Sequence, residues 1–151
     1  MEKEKRVVRR VEITTSIHAT EDDVKVKKAV LNLIPDELRN KVKIKQLTFQ
    51  GHYGNPIKRL TLTITGGNAD KVFKNIISKM TETDRRIIDT TLDNRLTSSH
   101  LYIRLSKQEA YQGNIVLYEG DDIIKIVATL NCNVSKEDLR NILRGKIEGG
   151  K

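Results

Sequence analysis

The chain has 151 residues, enough for one domain, and its 37% hydrophobic residues fall in periodic runs despite 32% charge, which excludes a disordered chain. A single cysteine, Cys132, excludes an intramolecular disulfide, and no run of about twenty apolar residues offers a membrane span. The 28 Lys and Arg against 20 Asp and Glu give a net charge of +8, a surplus that draws polyanions but serves equally for solubility or for an acidic protein partner.

Val7 to Ile17 alternate, with Val7, Val11, Ile13 and Ile17 on one side and Arg10, Glu12, Thr14, Ser16 and His18 on the other, as in a half-buried strand. Thr20 before Glu21, Asp22 and Asp23 marks a helix start, since a hydroxyl and early acids satisfy the free amides there. Val24, Leu31 and Ile34 continue one helical face until Pro35. A second strand spans about Val42 to Phe49, and the change of parity between Ile44 and Leu47 suggests a bulge near Lys45 and Gln46. Gly51 to Pro56 reads as a turn, and Leu60, Leu62 and Ile64 as the inward face of a third strand.

After Gly66-Gly67-Asn68, the stripe Val72, Phe73, Ile76, Ile77 and Met80 predicts a helix, and a second one is expected from Glu82 to Leu96 with Ile87, Ile88 and Leu92 inward. Leu101, Ile103 and Leu105 alternate with His100, Tyr102, Arg104 and Ser106 as a strand. Lys107 to Gly113 reads as one helical turn, and Ile115–Tyr118 with Ile123–Leu130 as a hairpin across Glu119 to Asp122. Ser135 to Asp138 caps a last helix. The expected architecture is α+β: a two-layer sandwich, mostly antiparallel sheet with helices on one face, as one domain over residues 1–144 with a flexible tail over 145–151.

The chain shows no catalytic or metal motif. His18, His52 and His100 lack ligand spacing to one another or to Cys132, which reads as an inert, partly buried thiol. No phosphate loop or dinucleotide fingerprint occurs. Asp84, Asp89 and Asp93 read as a solvated helix face. The uncovered sheet face would carry His18, Lys43, Lys45, Arg59, Tyr102 and Arg104 among Thr and Ser. Such a face is a solvated surface, an RNA platform or a contact with another subunit. The turn holds His52, Tyr53 and Asn55, with Lys58 and Arg59 next; it is loop geometry or a binding loop.

Three blocks carry a resemblance: Ile17-His18-Ala19-Thr20-Glu21-Asp22, Gly51-His52-Tyr53-Gly54-Asn55-Pro56-Ile57, and Tyr102 through Gly113. In this order they resemble an archaeal family of RNA-binding proteins or predicted exosome subunits, over about residues 7–130. The resemblance implies a fold like that of the ribosomal protein that carries 5S rRNA, and it points to His52, Tyr53, Asn55, Lys107, Gln108 and Tyr111. Ser106 and Glu109 depart from the family's pattern beside Lys107 and Gln108. The expectation is a cytoplasmic, non-catalytic RNA-binding protein without cofactor or metal, an accessory of RNA processing, degradation or ribosome assembly. Its sites would be His52, Tyr53, Asn55, Lys58, Arg59, Tyr102, Arg104, Lys107, Gln108 and Tyr111. The alternative is a structural or interaction module that dimerises or binds a protein partner through the sheet face.

Overall fold

A computed structural model describes residues 6–50 and 56–145. Ten residues of alternating character, Val8–Ile17, form β1 at the centre of a sheet. Ile44–Gln50 (β2), Pro56–Thr65 (β3), Leu96–Thr97 (β4), His100–Ser106 (β5) and Ile123–Leu130 (β6) complete it. The strand order is β2-β3-β1-β6-β5-β4, and every neighbouring pair is antiparallel. The helices are Asp23–Leu31 (α1), Gly66–Lys79 (α2), Glu82–Thr90 (α3), Leu92–Arg95 (α4), Lys107–Tyr111 (α5) and Lys136–Leu143 (α6). The protein is therefore α+β, a six-stranded antiparallel sheet with helices packed on it. Among the described residues, no helix is long and apolar enough to cross a membrane.

One set of strand residues meets the helices. Val11, Ile13 and Ile17 of β1, Leu60, Leu62 and Ile64 of β3, Leu101, Ile103 and Leu105 of β5, and Ile124, Ile126 and Ala128 of β6 are all buried. Against them α2 sets Val72, Phe73, Ile76 and Ile77, the stripe that its sequence spacing predicts. Asp70 fastens this helix to the sheet by accepting the Val7 and Val8 amides at 2.7 and 3.2 Å while pairing with Lys74 at 2.9 Å. Ser135 and Asp138 form a reciprocal cap on α6, as expected.

Several expectations need correction. Asp22, not Thr20, caps α1 by accepting the Val24 amide, and Val24 is 73% exposed, so it lies outside the core. Pro35 is followed by a 3-10 helix, Asp36–Lys41. β2 pairs with β3 in unbroken register from Ile44 to Gln50; the register shift lies instead in β1, between Val8 and Arg10 against β6. The helix expected from Glu82 to Leu96 breaks at Thr91, whose φ of −108° and ψ of 18° leave the helical region, and Ile87 is exposed. Ile115–Tyr118 does not form a hairpin with β6. It lies along β5, where Leu117 bridges Leu105, and Asp84 accepts the Leu117 amide at 3.1 Å. Asp89 is buried, held by Arg140 and Arg144 at 2.9 Å each, and is no solvated helix residue. Cys132 is exposed. The tail from residue 146 lies outside the described residues.

Candidate nucleic-acid interface

Because side chains alternate, the strands that bury one set of residues must present the other set on the far side of the sheet. Cross-strand pairing arranges that second set in rows. Lys45 stands opposite Thr61, Thr61 opposite Thr14, Thr14 opposite Lys125, and Lys125 opposite Arg104. Four inter-strand steps make this row about 19 Å long. The Leu105–Leu117 bridge and the bond from the Tyr118 amide to the Arg104 carbonyl, 3.1 Å, set Tyr118 opposite Arg104 and so extend the row. On one side runs the row Thr63, Glu12, Val127 and Tyr102. On the other run Leu47, Arg59 and Ser16, and beyond them Phe49 and Ile57.

The middle of this face forms a shallow concavity of about 710 Å³ reaching from Arg59 across Thr14 to Tyr102 and Arg104, with His18 and His100 at its borders. Among the described residues, no ion pair joins Lys45, Arg59, Arg104 or Lys125 to a carboxylate. Arg59 lies over the Phe49 ring at 5.1 Å, a cation–π contact that leaves its charge uncompensated. Glu12 is half-buried within the face and Asp121 is exposed at its rim.

The residues singled out from sequence do not form one site. Arg59, Tyr102 and Arg104 share the open face. Lys58, next in the chain to Arg59, points to the helical side and pairs with Asp23 at 2.8 Å. Lys107, Gln108 and Tyr111 line a separate hollow of about 290 Å³ between α1 and α5. There the Tyr111 ring receives Lys25 and Lys28, at 5.7 and 5.1 Å from its centroid. His52, Tyr53 and Asn55 lie outside the described residues.

Lys107 is 5% exposed, and its ammonium faces inward. It donates to the Ser16 carbonyl at 2.7 Å and to Glu21 at 3.0 and 3.1 Å, and it lies 2.9 Å from Asp122. One ammonium thus ties the end of β1, the approach to α1 and the approach to β6 together. His18, Glu21 and Asp122 are close enough to share a cation, the one such group among the described residues. Lys107 already supplies positive charge to both carboxylates, so a second cation would meet its repulsion.

Lys125, Phe49 and Tyr118 were not singled out from sequence. Lys125 was legible, because it lies between the inward Ile124 and Ile126. Phe49 and Tyr118 were not, since their orientation depends on pairing with β3 and β5.

Residues 10–130 match the family described as RNA binding. Over 120 residues, 78% of this chain and 80% of the relative, the sequence is 35% identical to an uncharacterised protein of Methanocaldococcus jannaschii. Over 143 residues, 92% of this chain and 93% of the relative, it is 31% identical to an RNA-binding protein of Pyrococcus abyssi. A solved structure from Sulfolobus solfataricus, described as a DUF54 member, is similar with a TM-score of 0.78 and 30% identity, covering 91% of this chain and 98% of that one. On the match over residues 10–130, this chain belongs to the RNA binding family.

Proposed function

We propose that the chain binds RNA on the open face of its sheet and does not catalyse its cleavage. The observation that carries this reading is a cluster of cations on one face of the sheet. Lys45, Arg59, Arg104 and Lys125 stand together on the open face, and among the described residues none of them pairs with a carboxylate. Unpaired cations in a row attract a phosphate backbone and release its counterions on contact. Family membership and the description of the Pyrococcus abyssi relative support the same reading. The non-catalytic reading rests on the sequence, whose spacing sets no nucleophile beside a base. A place in an RNA-processing or exosome assembly rests on the family resemblance alone; co-purification with processing enzymes from a cell extract, dependent on this face, would test it.

A second reading has its own observation. β2 is an edge strand, and it exposes Leu47 and Phe49. Such an edge suits a protein partner or a second copy.

Anisotropy with labelled RNA at low and moderate salt tests the first reading. It predicts micromolar binding or tighter, with a steep salt slope, and no loss of RNA length when Mg²⁺ is added. Salt-insensitive binding, or none, would favour the second reading, and reproducible cleavage would reject the non-catalytic one.

A further inference from the structure

We propose that the ligand of the open face is single-stranded RNA, laid across the sheet with its phosphates on the central cation row and its bases stacked on Phe49, Tyr102 and Tyr118. This rests on the RNA-binding reading and adds the class of RNA.

Six large hydrophobic residues are exposed among those described, and four of them, Leu47, Phe49, Tyr102 and Tyr118, lie on this face with the unpaired cations. A duplex hides the faces of its bases and would use only the cations, leaving these rings in water. An unpaired strand offers base faces that stack on aromatic rings without regard to sequence.

Phe49 stands on β2 beyond Arg59, about 13 Å along the strand from Lys45, Tyr118 stands at the other end of the cation row, opposite Arg104, and Tyr102 borders the row on the next line of β5. The row between the outer strands is about 19 Å long, room for about four nucleotides. Phosphates crossing it would meet Lys45, Lys125 and Arg104, and Thr14 and Thr61 lie between these cations as hydroxyl donors.

Two of the rings are held in place by their neighbours. The Arg59 guanidinium lies on one side of Phe49, making a flat platform. Tyr118 lies against Gly120 so closely that a Cβ there would come within 2.4 Å of the ring. Any other residue at 120 would displace Tyr118, yet the ring stays 47% exposed. A tyrosine braced by backbone and open to solvent fits a stacking surface.

The test compares an unstructured eight-nucleotide RNA with the same sequence as a duplex, by anisotropy at one low salt concentration. The full chain should bind the single strand about tenfold more tightly. Phe49→Ala, Tyr102→Ala and Tyr118→Ala should each weaken single-strand binding roughly fivefold or more, with duplex binding unchanged. Phe49→Tyr should retain binding and Phe49→Leu should lose it, because only the former stacks. Gly120→Ala should resemble Tyr118→Ala. Urea unfolding of each variant checks that the fold persists. Equal or tighter duplex binding, or a Phe49→Leu protein that binds like the original, would overturn the single-strand assignment while RNA binding itself stands. Failure to bind either RNA would remove both readings. A dimer in sedimentation that Phe49→Ala dissolves would assign Phe49 to a second copy and overturn the proposal.

Discussion

The two faces of the sheet are built from the same strands and differ by a single step in the chain, yet they obey different rules. On the covered face the side chains beneath the helices are apolar and buried, and polar groups there are tied: Thr15 donates to the Ile123 carbonyl at 2.9 Å, Lys58 at the margin pairs with Asp23, and Asp70 and Asp89 hold backbone amides or arginines. On the open face, no cation pairs with a carboxylate among the described residues, and aromatic rings are exposed. Burial explains the first arrangement completely, because an unpaired polar group inside costs about 1–3 kcal/mol. Nothing in stability explains the second, since exposed rings and like charges in one row gain little from folding. What folding does not require is the part of the molecule left for a ligand.

The comparison breaks most sharply in the core. Phe73→Ala, at a fully buried site under the sheet, should lower unfolding free energy by about 3–5 kcal/mol in denaturant titrations while the folded fraction binds RNA as before. Next comes Lys107, which belongs to the covered structure although the family resemblance points to it as a site. Lys107→Met should cost about 2–3 kcal/mol by leaving Glu21 and Asp122 without their cation, and it should change the RNA salt slope little. An unchanged stability with lost binding would move Lys107 back to the interface.

Smaller effects sharpen the contrast. Glu12 is an acid beside the cation row, so Glu12→Gln should tighten RNA binding by about twofold at low salt, with stability changed by less than about 0.5 kcal/mol. Weaker binding would mean that Glu12 orients a neighbouring cation. Smallest is a pair on the helical side, where Lys136 donates to the exposed Asp93 and holds its carboxyl below the usual aspartate range, with the nearby Arg140 adding slightly. The depressed folded-state pKa means that this pair's stabilisation is present above the unfolded-state value and fades as pH falls through the folded one. Lys136→Ala should return the Asp93 titration, read by NMR, toward the ordinary value without touching RNA affinity.

The same contrast explains what could be read from the sequence. Alternation in β1, β3 and β5 and the stripe of α2 show directly in the residue order, because burial selects the side chain at each step. Arg59, Tyr102 and Arg104 were legible for the same reason: they are the outward members of such strands. Non-local pairing was not legible. Ile115–Tyr118 and β6 are neighbours in sequence, but the former joins the edge of β5, which turns Tyr118 onto the open face. Leu47 and Phe49 look like core residues in a strand pattern, and only their place on an edge strand opposite Arg59 and Ile57 exposes them. Lys107 looks like a surface lysine until Glu21 and Asp122, distant from each other in the chain, close around it. Asp89 was misread as solvated for the same reason, since Arg140 and Arg144 come from a helix about fifty residues later.

The most direct test of the account combines Arg59→Ser, Arg104→Ser and Lys125→Ser in one protein and follows RNA affinity against salt together with urea unfolding. The account predicts a loss of affinity of at least about thirtyfold at low salt, a salt slope shallower by about two, and stability within about 1 kcal/mol of the original. An unchanged slope and affinity in a folded protein would contradict it, and the open face would then have to serve something other than RNA.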